Sequence, residues 1–284
     1  MSITHTGGGA RLGPITYLGG TTAPPPPTYT YDAYAGGWDG GPDLDYWWKM
    51  QENYTATGVG EANHGSGGTM PLYARVNVTS LTSQDSGIVL RTADNYCVTK
   101  GNANNAHRAA VLVDGTTPFT VGGWFRLTGT LGDCGVFKSN TGGQQGWAHG
   151  IHLRVADSGS YVIVRTGSGD SGSQYSWSTS GGTFSYNSVY FVVLYVVPAA
   201  TVGAISFKLY INGAQISSFT TSGTSGAIAW PTDASGGVEA GIAFNNSDGQ
   251  TNGSMYGKYD ELFFHWGEVT AAQVLRMYEL GAVA

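Results

Sequence analysis

Tyr256-Gly-Lys-Tyr-Asp-Glu-Leu-Phe-Phe-His-Trp-Gly-Glu-Val-Thr-Ala-Ala-Gln-Val-Leu-Arg-Met-Tyr-Glu-Leu-Gly281 is the stretch on which the fold turns. Tyr259 to Trp266 reads as one aromatic strand, Gly267 as a turn, and the remainder as one short helix. Thr270 and Gln273 have the spacing of a capping box, in which each residue satisfies a free backbone N–H of the other. Val269 and Val274 stand where a hydrophobic staple clamps the helix entrance. Val274, Met277, Tyr278 and Gly281 share one face, and Gly281 can end the helix in a left-handed conformation. No other segment is punctuated this well as a helix, so the helix is an appendage on a chain of strands.

Upstream, the strands follow from period and turn chemistry. Phe191-Val-Val-Leu-Tyr-Val-Val197 is apolar on both faces, which predicts a central strand. Phe207 to Ile216 predicts a hairpin, because Asn212-Gly213 suits the two-residue type I′ turn. Phe119 to Leu127 alternates and places Phe119, Val121, Phe125 and Leu127 on one face. Shorter strands are predicted from Asp43 to Glu52, at Leu72–Val78, Ser86–Arg91, Tyr96–Thr99, Val136–Lys138, Gly150–Val155 and Tyr161–Arg165. Many short strands turned by Gly and Asn predict an all-β, two-sheet antiparallel sandwich over residues 43–284.

Composition agrees. Of 284 residues only 11% are charged, while 45 are Gly and 17 are Tyr, as in a β-rich protein whose surface is polar through hydroxyls and amides. The formal net charge of -6, without a Lys/Arg run, argues against a nucleic-acid partner and an anionic membrane surface. No run of 18 apolar residues is present. No basic-then-apolar stretch opens the chain, so the expectation is cytosolic synthesis without a secretory signal. Cys97 and Cys134 show no zinc spacing and are expected as unpaired, core-like thiols, although they could bond if their strands are neighbours.

Residues 1–42 differ from the rest. Arg11, Leu12, Ile15, Tyr17 and Leu18 lie among glycines, followed by the spacer Pro24–Pro27. Such a segment is either a free terminus or a peptide that orders on another protein. Its apolar residues favour the second, an extended anchoring arm.

Four landmarks then occur in a familiar order: Trp47-Trp48-Lys-Met-Gln-Glu52, Phe119-Thr-Val-Gly-Gly-Trp124, Leu209-Tyr-Ile-Asn-Gly213, and Gly257-Lys-Tyr-Asp-Glu261 with Thr270-Ala-Ala-Gln273. Together they make residues 43–281 resemble the LamG-like jelly rolls of the concanavalin A-like lectin and glucanase group. The resemblance implies a jelly-roll fold with one short C-terminal helix. It does not choose a function, because this sandwich hosts lectins, adhesion modules, enzyme accessory domains and virion proteins. It also implies a possible Ca2+ ion held by loop oxygens, with Asp43, Asp45, Glu52 and Asp260 as candidates by position, and Asn245, Asn246 and Asp248 in a second loop. The same residues equally serve turns and buried backbone groups, and none has EF-hand spacing.

Glycoside cleavage requires paired carboxylates. The Glu-x-Asp-x-x-Glu pattern of laminarinase-like relatives does not occur, and Asp260 and Glu261, being adjacent, are expected to point to opposite faces of a strand. A non-catalytic protein is expected. Sugar binding needs an aromatic face with amides and hydroxyls around it. That mixture is expected in three loop regions, Gln144–His149 (with Trp147 and His149), Ser173–Trp177 (with Tyr175 and Trp177) and Asn245–Asn252 (with Asn245 and Asp248), with Trp230 a further candidate. The same rings would also serve packing at a sheet edge or against a neighbouring subunit.

These readings combine into one expectation. The chain is a structural protein of a tailed-phage virion, a capsid decoration, head fibre or tail-associated adhesin, present as a homo-oligomer or in many copies. Its arm would dock on other virion proteins while the sandwich meets a host glycan. A secreted or cell-surface glycan-binding module and a lyase or hydrolase with an unfamiliar site are the alternatives.

Overall fold

The structure is a computed structural model, and it describes residues 44–48, 60–61, 63, 65–68, 72–74, 97–99, 107–109, 113–127, 134–139, 150–155, 162–167, 174–179, 185, 188–230, 238–240 and 257–281. The expected anchoring arm and the expected strand at Ser86–Arg91 lie outside these residues.

In chain order the strands are β1 (Tyr46–Trp48), β2 (Gly60–Glu61), β3 (Leu72–Ala74), β4 (Cys97–Thr99), β5 (His107–Ala109) and β6 (Phe119–Leu127). There follow β7 (Cys134–Ser139), β8 (Ile151–Val155), β9 (Val162–Gly167), β10 (Gln174–Ser178) and β11 (Val189–Val197). The last are β12 (Ser206–Ile211), β13 (Ala214–Ile216), β14 (Thr220–Gly223), β15 (Val238–Ala240) and β16 (Gly257–Trp266), before helix α1 (Ala271–Gly281). Two antiparallel sheets result. One runs β1-β16-β6-β11-β12-β13, with β4 also on β16; the other runs β14-β10-β9-β8-β7-β15-β5-β3-β2. Cys97 and Cys134 therefore belong to strands of different sheets, which are not paired neighbours.

β11 is central, as its sequence requires. Leu194 stands between Val121 of β6 and Leu209 of β12. Its inner residues Val192, Leu194 and Val196 join Phe119, Val121, Phe125, Phe137, Ile151 and Leu153 in the core between the sheets. Its outer residues Phe191 and Val193 join Trp47, Trp124, Tyr210, Phe263, Val269, Val274 and Met277 in a second core beneath α1. The first sheet is thus buried on both faces. Burying each large side chain is worth roughly 1.5–3 kcal/mol, so the helix is held by its apolar face more than by its own propensity.

The helix start is the expected capping box. The Thr270 N–H donates to Gln273 Oε1 at 2.9 Å, and the Gln273 N–H donates to Thr270 Oγ1 at 3.4 Å. Val269 and Val274 are both fully buried, as a staple demands. Asn212 and Gly213 have φ of 52° and 77°, the positive values of a type I′ turn. Asn212 Oδ1 also accepts the Phe191 N–H at 2.9 Å, tying the turn to β11.

Two expectations need correction. Ser173–Trp177 is not a loop: Gln174–Ser178 is β10, paired with β9 and β14. Tyr-Ser-Trp-Ser already has the period of a strand, with the rings on the core side. Simple alternation also fails at Asp260 and Glu261. Asp260 faces Trp124 while Phe263 faces Gly122, so a β-bulge intervenes, and Glu261 has a φ of 52°. On the other side of β16 the partner changes there too, from β4 at Gly257–Tyr259 to β1 at Leu262–Phe264.

Candidate functional site

Register places several candidate segments at one end of the sandwich. In the second sheet Ile151, Thr166, Tyr175 and Gly223 stand side by side, where β8 and β10 begin and β9 and β14 finish. In the first sheet the corresponding end holds Phe119, Val196 and Trp266. Backbone hydrogen bonds join the two sheets there. The Gly150 N–H donates to Ala229 O at 2.6 Å, Ile228 N–H to Ala200 O at 2.8 Å, and Val202 N–H to Gly226 O at 2.9 Å. The Trp230 indole N–H donates to Ala199 O at 2.7 Å.

Tyr175, Trp177 and Trp230 therefore share this end. Gly150, into which the Gln144–His149 stretch runs, abuts it as well. Trp147, His149, Asn245 and Asp248 themselves lie outside the described residues. The strand ends that flank the Asn245–Asn252 stretch, Ala240 and Gly257, belong to the opposite end, where Gly257 pairs with Leu127 at the finish of β6.

The rings form a row that crosses from one sheet to the other. Tyr175 meets Trp177 edge-on at 4.8 Å, Trp177 meets Phe207 at 5.1 Å, and Phe207 meets Phe219 at 5.2 Å. All four are partly buried against the inter-sheet core. Edge-to-face contact suits the quadrupoles of the rings and fixes their angles. Trp230 is seated differently. A Cβ at Gly115, where φ is +83°, would lie 2.2 Å from the Trp230 ring, so only glycine admits the indole.

Beside it, Asp114 accepts from the Thr116 N–H at 3.0 Å and from the Thr116 hydroxyl at 2.7 Å. The side-chain bond from Thr116, then its backbone bond, hold the Asp114 carboxyl below the ordinary carboxylate range. Asp114, Thr116, Thr117, Thr201, Thr224 and Ser225 are exposed. Apolar rings bordered by hydroxyls and a carboxylate are the groups that bind a sugar's apolar face and its hydroxyl edge. Sequence reading missed Asp114 and Thr116; Asp-Gly-Thr-Thr is an ordinary turn signature, and only the close approach of Gly115 to the Trp230 ring brings it into this company.

The calcium candidates are distributed otherwise. Asp43 and Glu52 lie outside the described residues, and Asp260 is described only by its backbone, opposite Trp124. Asp45 Oδ2 accepts the Trp266 N–H at 2.8 Å and lies 2.9 Å from His265 Nδ1. The carbonyls of Leu44 and Asp45 take N–H groups of Ser66 and Gly67. Among the described residues no three His, Cys, Asp or Glu gather to hold a metal, and the donors around Asp45 do not fit a calcium site.

Among the described residues Glu261 is the one buried carboxylate. It is 1% exposed, and its Oε2 accepts the Trp47 indole N–H at 2.7 Å.

No protein-family model matches this chain, and no curated protein proves similar in sequence. Solved structures are similar in fold. The receptor binding domain of botulinum neurotoxin D superposes with a TM-score of 0.51 and 10% identity, over 84% of this chain and 52% of that one. The serotype G binding domain gives 0.52 and 10%, over 84% and 51%. The serotype D ligand binding domain in complex with N-acetylneuraminic acid gives 0.51 and 11%, over 84% and 50%. The chain thus spans about half the length of each of these structures. At such identity the likeness establishes fold alone, a two-sheet jelly-roll sandwich.

Proposed function

We propose that this chain is a non-catalytic, glycan-binding jelly roll that serves as the display domain of a virion structural protein. The observation that carries the glycan reading is the convergence of Tyr175, Trp177 and Trp230 with exposed Asp114 and Thr116 at one end of the sandwich. One structural neighbour was solved in complex with N-acetylneuraminic acid, which supports a sugar ligand for this fold. The non-catalytic reading is supported by the lack of a spaced carboxylate motif and by the burial of Glu261 against Trp47. The virion setting is supported by the sticky arm and proline spacer of residues 1–42.

The test is a glycan array probed with the full chain, followed by incubation of each bound glycan with the protein. Binding without release of new reducing ends or unsaturated products is expected, with affinity reduced at least about tenfold by Tyr175→Ala, the scale of one lost stacking contact with its hydrogen bond. Turnover of the glycan, or an unchanged affinity in the variant, would contradict the reading.

A further inference from the structure

The rings at the aromatic end of the sandwich stand in open surface that carries almost no charge. Gly223 pairs with Tyr175, and the chain runs from there towards Trp230 through the exposed residues 224–227. A bridge between Thr201 and Ala227 sets exposed Ala200 and Thr201 beside that run. On the other flank, Gly115 approaches the Trp230 ring and brings exposed Asp114 and Thr116 with it. Across residues 113–118, 198–205 and 223–230, all of them described, Asp114 is the one charged side chain. Sequence extends the pattern. Residues 140–149, 168–173 and 231–237 leave or re-enter strands at this same end, after Ser139, after Gly167 and before Val238. They add Asp170 and Asp233 but no Lys or Arg, although the whole chain has 13 Lys and Arg residues. Lys138, Arg165 and Lys208 adjoin these segments in sequence but belong to β7, β9 and β12, and Lys208 is held by Glu268 at 2.6 Å.

Charge decides what such a surface admits. A sugar carboxylate or sulfate loses water on binding and needs a cation in return. The connections at this end supply none, and the bonds from Thr116 favour the ionised form of Asp114. Both of those bonds end on Oδ1, and the side chain is exposed, so the carboxylate keeps lone pairs for sugar hydroxyls. We propose that the aromatic end selects glycans without acid groups, Asp114 accepting from their hydroxyls and repelling sialic and uronic acids. The inference rests on the glycan-binding reading above and adds its ligand class. It separates this chain from the structural neighbour solved with N-acetylneuraminic acid, which is an acidic sugar.

The test is a titration of the full chain with three probes, each at low and high salt. They are neutral galactose, glucose and N-acetylglucosamine oligosaccharides, the same chains capped by N-acetylneuraminic acid, and oligoalginate. Affinity for the neutral chains should not change with salt. At low salt the capped chains and oligoalginate should bind at least about tenfold more weakly, the scale of two like charges a few ångströms apart. That gap should narrow at high salt, which screens the repulsion. Asp114→Asn, which keeps the side chain's size and one acceptor, should narrow it at low salt. Acidic probes bound as tightly as neutral ones would overturn the inference and leave the glycan reading standing. A gap that neither salt nor Asp114→Asn narrows would overturn it too, because shape alone would then exclude the acid. The salt comparison uses the parent protein, so it decides the matter even where the variant fails to fold. No binding to any glycan would contradict the proposed function together with this inference.

Discussion

The indole N–H of Trp47 donates to the buried carboxylate of Glu261 at 2.7 Å, joining two residues 214 positions apart. Trp47 lies on β1 and Glu261 on the bulge of β16, so the bond pins the opening strand to the closing one where the ladder is irregular. Trp47→Phe keeps a ring but removes this donor from a buried charged acceptor. It should cost about 1.5–3 kcal/mol, read as a shift in the urea midpoint. Glu261→Gln retains an acceptor and should cost less. Midpoints unchanged in both variants would show that the bond contributes nothing to stability.

Helix α1 offers a graded test of local against tertiary stabilisation. Thr270→Ala removes the cap and should cost about 1 kcal/mol. Val274→Ala, at a fully buried position in the core beneath the helix, should cost more, about 2 kcal/mol, the lower part of the range for large-to-small core substitutions. Thermal unfolding that ranks the two the other way would mean that the cap, not the packing, holds the helix.

Trp177 sits within the aromatic row, between Tyr175 and Phe207. Trp177→Ala should therefore lower stability by about 2 kcal/mol, below the 3–5 kcal/mol of a fully buried ring because Trp177 is only partly buried. A variant as stable as the parent would show that the ring is a surface group.

The C-terminal stretch was legible because its signals are local. Thr270 and Gln273 mark the helix start within one turn of themselves, and Asn212-Gly213 specifies its own turn. β11 was legible from seven apolar residues in succession. His107–Ala109, Thr220–Gly223 and Val238–Ala240 were not, because short polar segments become strands through their neighbours and not through their own composition. The bulge at Glu261 had no signature, since a non-glycine residue takes a φ of 52° only when its surroundings impose it. For the site, sequence supplied Tyr175, Trp177 and Trp230 as separate candidates. Their common end depends on pairings such as Tyr175 with Thr166 and Thr166 with Ile151, which no local pattern encodes.

The proposed docking arm predicts a separation of folding from assembly. Deleting residues 2–23 should leave the melting transition of the sandwich unchanged, because that segment has too few apolar residues for a core of its own. The shortened protein should be missing from assembled particles. Full occupancy after deletion, measured by gel densitometry of purified particles, would contradict an anchoring role.

The proposed glycan-binding end is tested most directly by backbone chemical-shift mapping of the full chain, titrated with a neutral glycan selected on the array. Shifts should gather at Gly150, Tyr175, Trp230 and the Asp114–Thr116 turn, all at one end of the sandwich. Residues at the other end, Leu127, Val155 and Gly257, should not move. Shifts gathered around Leu127 and Gly257 instead, or no saturable shift at any position, would contradict the assignment.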